Sequence, residues 1–252
     1  MKLHVRVLGL VAAFALSASD PASATVPVVF GSTWDGPGTS LQNIMDAAYG
    51  AGAVNCATDY LGAHAGDPDP FYWNGTGFST LLVREIAGNR DTNALGWYLE
   101  TGAQPTIDGI DDGIVFAGPM ADGATAIINL SSTNVPFGFF MNPNGNGGAT
   151  NAPEPEKFFT NRHWNDIGPN GVGPAPHAPF DGDVQAIVFD VSRFRGPNTW
   201  CVCFEDLDSG ANPGPCCQTT DNDFNDMVFE VTVLGPLPVK AMTFSQIKAL
   251  YK

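Results

Sequence analysis

The chain has 252 residues, with 26 acidic against 11 basic side chains and a formal net charge of -15. So acidic a protein repels phosphate backbones and anionic lipid surfaces, which are engaged through Lys and Arg, so nucleic acid is excluded as a partner and cations are favoured. It carries 29 glycines and 20 prolines, yet 44% of its residues are hydrophobic, too much core material for disorder; short strands joined by Gly/Pro turns account for both.

The first residues predict export. Lys2 and Arg6 precede an apolar run over residues 7–16, and small residues close the segment at Ala22, Ser23 and Ala24. Basic start, short apolar core and A-x-A end form a secretory signal, with cleavage expected after Ala24. The run is too short for a bilayer core, which takes about 20 residues of helix, and no later stretch is apolar enough to span. The mature chain is expected to be secreted or held at the cell surface without a transmembrane span. Losing Lys2, Arg6 and Asp20 moves its net charge from -15 to -16.

After the signal, one domain is expected over residues 25–234, followed by a linker and tail over 235–252. In TSLQNIMDAAYG the apolar Leu41, Ile44, Met45 and Ala48 follow helical spacing. Thr39 or Ser40 would cap the start of this helix and Gly50 would stop it. Eight strand-like segments follow: STLLVREIAG, ALGWYLE, GIVFAG, ATAIINL, PFGFFM, VQAIVFDV, TWCVCFEDL and DMVFEVTVL. Their spacing predicts an all-β fold, a β-sandwich or jelly roll with one short N-terminal helix. Two long Gly/Pro-rich stretches, residues 142–157 and 165–183, are expected to be loops, mobile or functional. The last residues, LGPLPVKAMTFSQIKALYK, read as a Pro-rich linker and a short basic helix, either a frayed end or a docking tag.

The chemistry concentrates near the end of the domain. Between Gly196 and Val239 there is no Lys or Arg, but there are seven acids: Glu205, Asp206, Asp208, Asp221, Asp223, Asp226 and Glu230. Two unit charges about 4 Å apart repel by about 4 kcal/mol at an effective dielectric near 20, against a folding margin of about 5–15 kcal/mol. Either these groups point apart into water or a cation sits among them. Asp221, Asp223 and Asn225 alternate as oxygen ligands do in the first half of a calcium loop. An EF-hand would continue with Gly at position six and Glu at twelve; Asp226 and Thr232 stand there instead, so this is no EF-hand. Glu205 and Asp206 are the natural further donors if TWCVCF lies beside MVFEVTV. The expected site is therefore calcium held by Asp221, Asp223, Asn225, Asp226, Glu205 and Asp206, with plain Asx turns as the competing explanation. Zinc is disfavoured by the hard oxygen ligands and the lack of a nearby His. In the strand that follows, Met227, Phe229, Val231 and Val233 alternate with Val228, Glu230 and Thr232, predicting one buried and one mixed face.

The paired segments CFEDLDSG and TDNDFNDMVFEV resemble a bacterial exported family of unknown function. Its members carry E-D-L and then D-x-D-[FY]-N-D-[ILMV]-V at the end of a β-rich domain, often alongside PEP-CTERM-type surface sorting. The segment STLLVREIAGNRDTNALGWYLE is similar to that family's upstream pattern through Glu85, Ala87, Gly88, Asn93, Gly96 and Tyr98. The resemblance implies an extracellular, calcium-linked β-sandwich of no established activity. The ending MTFSQIKALYK departs from a sorting tail, which would carry an apolar span.

The five cysteines are Cys56, Cys201, Cys203, Cys216 and Cys217. Disulfides are the default outside the cell. Cys201 and Cys203 share one strand face and the adjacent Cys216 and Cys217 would bond each other only with strain, so cross-pairing between the two sets is expected. It would stabilise the loop by about 2–4 kcal/mol. A four-thiolate zinc site is the alternative, and Cys56 is left over. His64, His163 and His177 sit in no catalytic string, and G-x-S-x-G, H-E-x-x-H and phosphate-loop motifs are missing. Asp67/Asp69 or Asp111/Asp112 offer a glycosidase-like pair. Trp164 in NRHWND could serve sugar binding or packing, and NRDTN over residues 89–93 a second cation loop or a turn. The sequence reads as a non-enzymatic surface module for adhesion, matrix or ligand binding, with a glycan or a surface protein as partner. The alternatives are a secreted carboxylate-dependent hydrolase and a purely structural surface-layer component.

Overall fold

The computed structural model describes residues 30, 36–64, 72–87, 90–103, 105–143, 157–166, 184–206 and 222–235, without the side chains of His163 and Asp166. The leader, Asp67, Asp69, Asp208, His177, Cys216, Cys217, Asp221 and residues 236–252 lie outside the described residues.

Helix α1 spans Leu41–Tyr49. The Ser40 hydroxyl accepts from the Asn43 N–H, and Gly50, at φ 104°, ends the helix with its N–H on the Asp46 carbonyl. These are the cap and stop that the sequence predicts. The eight expected strands all form, joined by two short ones, in the order β1 (Trp73–Gly75), β2 (Gly77–Glu85), β3 (Ala94–Leu99), β4 (Asp112–Ala117), β5 (Thr125–Asn129), β6 (Val135–Asn142), β7 (Phe158–Phe159), β8 (Ala186–Asp190), β9 (Thr199–Phe204) and β10 (Met227–Leu234). A four-residue helix α2 (Ser192–Arg195) separates β8 from β9, and a 3-10 turn covers Arg162–Asp166.

The strands form two antiparallel sheets. One runs β1-β6-β3-β4, with β7 also on β6; the other runs β5-β2-β10-β9-β8. Their facing sides share a core drawn from both sheets, including Phe78, Leu95, Phe137, Phe139, Val202 and Phe229. Phe139 sits at its centre, 5.0–5.8 Å from the rings of Phe78, Trp73, Phe229 and Phe137, spacings at which edge-to-face contact adds to area burial. The architecture is the sandwich expected from the sequence. No helix among the described residues is long and apolar enough to cross a membrane.

The expectation of one buried and one mixed face on β10 needs correction. Met227, Phe229 and Val231 face the inter-sheet core, but Val228 is buried too, in a second core under α1. Glu230 is also covered. It accepts from Arg195 Nε at 2.7 Å and from the Tyr49 hydroxyl at 2.9 Å, so it anchors both helices and takes no part in the acidic corner. Helix α1 and the segment after it act as a third layer.

That layer also decides the environment of the cysteines. Cys201 and Cys203 do share one face of β9, as expected, with their sulfurs 3.8 Å apart, but the face is sealed by α1, and Cys201 Sγ lies 3.9 Å from Met45 Sδ. Together with Cys56 they are buried free thiols. Burial pushes the Cys56 thiol up to about 12 and that of Cys203 well above its usual value, so neither is a ready thiolate.

The other outer face is built from reciprocal pairs across β3 and β6. Gly96 faces Phe140, and Tyr98 faces Gly138. Each ring lies over the glycine opposite, so that a Cβ on Gly138 would stand 2.5 Å from the Tyr98 hydroxyl oxygen. A Cβ on Gly96 would strike the Phe140 ring and lie 2.8 Å from the Gly113 carbonyl oxygen. Gly96→Ala should therefore cost about 1–3 kcal/mol by overpacking. Thermal melting is expected to show a fall of roughly 3–10 °C.

Candidate metal centre

Three strand ends meet at one end of the sandwich. β10 lies between β2 and β9, with Met227 opposite both Glu85 and Phe204. The Ile86 N–H bonds to the Asp226 carbonyl at 3.1 Å, and the Glu205 N–H to that of Gln185 at 3.0 Å. The residue before β10, the two after β9 and the last of β2 are thereby brought together. All four are carboxylates: Asp226, Glu205, Asp206 and Glu85.

One carboxylate oxygen from each of Glu205, Asp206 and Asp226 lies within 4.8 Å of the others. Calcium–oxygen bonds of about 2.3–2.6 Å allow two ligands of one ion to stand up to roughly 5 Å apart, so the three fit a common ion. The Asp206 N–H donates to Asp226 Oδ2 at 2.7 Å, locking the two loops together. From the opposite sheet, Asn93 donates its Nδ2 to Asp206 Oδ2 at 3.2 Å. Asn93 stands one residue before β3, so the centre is wedged between the two sheets.

The loop leading into β10 has an alternating backbone. Asn222 and Phe224 are left-handed, at φ 52° and 54°, a costly conformation for a ring-bearing residue. It sends Phe224 into the core under α1, 5.8 Å from the ring of Phe30. Asp223 Oδ1 accepts from the Asn225 N–H at 3.2 Å and Oδ2 from Asn225 Nδ2 at 2.8 Å, while Nδ2 also reaches the Thr39 carbonyl at 3.0 Å. Asp223 and Asn225 thus have the turn-forming role that competes with a ligand role, although Asp223 remains close enough to act on the charge of Asp226.

Of the six sequence-predicted ligands, the structure joins Glu205, Asp206 and Asp226 in one cluster and places Asp223 and Asn225 against each other beside it. Asp221 lies outside the described residues. The expected neighbourhood of β9 and β10 is borne out. Glu85 and Asn93 were not among the expected ligands of this site. Glu85 shows only in the upstream segment of the family resemblance. Asn93, which also belongs to that segment, was read as part of a separate cation loop or turn over residues 89–93, whereas it donates to Asp206. Asp112 of the proposed glycosidase-like pairs is a turn former, accepting from the N–H groups of Asp108 and Gly109.

The electrostatics are unfavourable without a counter-charge. Glu85, Glu205, Asp206, Asp223 and Asp226 are 0–7% exposed. At 4–5 Å each like-charged pair repels by roughly 3–4 kcal/mol at an effective dielectric near 20. Asp226 is held well above the usual carboxylate range, first by burial and then by Asp206 and Glu205, with the Asp206 N–H acting the other way and Asp223 adding a smaller push. Glu85 is pushed up to about 7, mainly by burial, with Asp206 adding to the shift. Arg90, the Met120 backbone and Asn93 oppose it, but neither oxygen of Glu85 reaches hydrogen-bond geometry. The arrangement is thus a buried, oxygen-only, anionic pocket, suited to a hard divalent cation rather than to zinc or copper.

Comparison with protein-family models, with curated proteins and with solved structures finds no match to this chain.

The Glu85 shift gives the metal-free protein an inverted pH response. A carboxyl whose pKa is raised on folding binds its proton more tightly in the native state, so its contribution to stability is lost as pH rises from about 4.5 towards 7. In chelator, the melting temperature should be higher near pH 5 than near pH 7.5. Glu85→Gln should flatten that slope.

Proposed function

We propose that this chain is an exported, non-enzymatic β-sandwich module of the cell surface or extracellular matrix, built around a structural calcium site at Glu205, Asp206 and Asp226 and serving adhesion or ligand binding. The observation that carries the reading is the buried convergence of those three carboxylates within 4.8 Å, joined by Glu85 from the neighbouring strand. An ion there would neutralise repulsion that protonation would otherwise have to relieve. The shell would be completed by oxygens of flexible geometry, which calcium accepts and magnesium, with its strict octahedron, does not. The secretory-type leader and the resemblance of the E-D-L and D-x-D-F-N-D segments to an exported family support the location. The hydrolase reading has less behind it, since Asp112 is committed to a turn.

Calcium in this role would be a clamp rather than a reagent. Bound at the junction of β2, β9 and β10, it would hold the loop before β10 to the sandwich. Any ion that binds only the folded state adds RT ln(1 + [L]/Kd), about 2.7 kcal/mol at a hundredfold excess over Kd. Calcium in that excess should raise the melting temperature of the mature chain by roughly 5–10 °C over chelator. Magnesium should do much less. An unchanged midpoint would sink the metal reading.

Glu205→Gln separates an ion site from a set of turn formers. With the charge removed but the shape kept, the variant should melt higher than the parent in chelator, because a repelling charge is gone, and should lose most of the calcium response. A turn former would instead lose stability equally in both conditions. Asp112→Asn, in a turn far from the cluster in sequence, should retain the full calcium response.

A further inference from the structure

We propose that the outer face of the β1-β6-β3-β4 sheet carries a binding cleft for a neutral glycan, at Tyr72, Glu100 and Asn161. The proposal gives a chemical class to the ligand of the surface module and occupies a site separate from the metal centre. Asn93 and Glu100 bracket the six residues of β3, and seven steps of about 3.3 Å separate them by roughly 23 Å.

The cleft has a volume of about 350 Å3 and is lined by Tyr72, Glu100, Gly102, Pro136, Asn161 and Trp164, at the small end of the range for small-molecule sites. Its floor is rigid. Trp164 packs with Tyr98, Phe140 and Phe159 in the outer core that the glycine–aromatic pairs make possible. The Glu100 N–H bonds to the Pro136 carbonyl at 3.0 Å, fixing the end of β3 to β6.

The carboxylate of Glu100 is 8% exposed and held in one orientation by three donors. Gly102 N–H reaches Oε1 at 2.8 Å, while Asn161 Nδ2 and Trp164 Nε1 reach Oε2 at 2.9 and 3.0 Å. A carboxylate has about four acceptor positions, so the three donors leave one over, with the Tyr98 hydroxyl also close to the group. A pre-oriented acceptor of this kind suits a hydroxyl, because no side chain has to be ordered on binding. On the rim, Tyr72 is 46% exposed and is the one aromatic among the exposed large hydrophobic side chains of the described residues. An exposed ring beside a fixed acceptor matches the two surfaces of a pyranose, an apolar C–H face and an edge of hydroxyls.

The composition of the lining argues against other small ligands. Among the described residues the lining holds no Lys, Arg or His, so it offers anions no counter-charge. A quaternary or primary amine would want an uncompensated carboxylate and several presented ring faces. Here the charge of Glu100 is already met by three N–H groups, and Trp164, 9% exposed, is mostly turned to packing. A neutral sugar, needing one stacking ring and a few fixed polar atoms, fits best.

The test is saturation-transfer NMR and titration calorimetry on the mature chain. The probes are neutral hexasaccharides of glucose, xylose, mannose and N-acetylglucosamine, with the glucosamine hexamer as a cationic comparison. At least one neutral hexasaccharide should bind with Kd below about 10 mM. Tyr72→Ala removes an exposed ring and should leave the melting temperature unchanged while weakening binding at least tenfold; Glu100→Gln should weaken it as well. Failure of every neutral probe to bind overturns the proposal. So does preference for the amine-bearing hexamer, or an affinity indifferent to Tyr72→Ala. None of these results touches the metal reading, which is decided by melting with calcium and chelator.

Discussion

The pairing of Met227 with both Glu85 and Phe204 draws the ends of β2, β9 and β10 into one place, and each end delivers carboxylates that water can no longer solvate. Hydrophobic burial across the sandwich fixes that register, because a slip of one residue would turn Met227, Phe229 and Val231 away from the core. The acids have no freedom to move apart. Core packing therefore imposes the electrostatic problem, and the response to it, proton or cation, sets the condition under which this end of the domain is stable. The left-handed Asn222 and Phe224 belong to the same compromise: the loop accepts backbone strain so that Phe224 can fill the core beneath α1 while Asp226 reaches the cluster.

The molecule has two kinds of outer surface, and each comes from a distinct sequence device. Over β9 and β10 the covering is α1, whose apolar stripe meets Val228, Cys201 and Cys203. Over β3 and β6 the covering comes from rings laid across glycines, together with Trp164 and Phe159. The first device buries Val228, Cys201 and Cys203 completely. The second leaves the border of the aromatic layer available to polar groups, and Glu100 and Asn161 stand at that border.

Much of the fold was legible because its signals are local. Alternation marked the eight longer strands, and Ser40 and Gly50 marked the helix. β1 and β7 are too short to show any period; they exist because β6 offers an edge to pair with. The burial of both faces of β10 could not be seen from its own residues, since it depends on a helix some 180 positions earlier, as the Tyr49–Glu230 bond shows. At the acidic corner, the count of carboxylates and the partnership of Glu205 and Asp206 with Asp226 could be read from ligand type and strand adjacency. The alternate spacing of Asp221, Asp223 and Asn225 was a weaker guide, because both oxygens of Asp223 accept from the N–H groups of Asn225. Distance along the chain hid Glu85, and it hid the link from Asn93, read as part of a separate loop, to Asp206. Glu230 was grouped with the corner by sequence proximity, whereas it lies four residues along from Asp226, under the helices and bonded to Arg195 and Tyr49.

The place of β10 in its sheet has a consequence for how the domain comes into being. It is the last strand among the described residues but lies between β2 and β9, with its longest pairings reaching back about 150 residues. Until it arrives, β2 and β9 each present an open edge and half the inter-sheet core has no floor. No smaller sandwich can form first and be extended afterwards. Assembly is therefore slow, and the sandwich cannot close until β10 has been made.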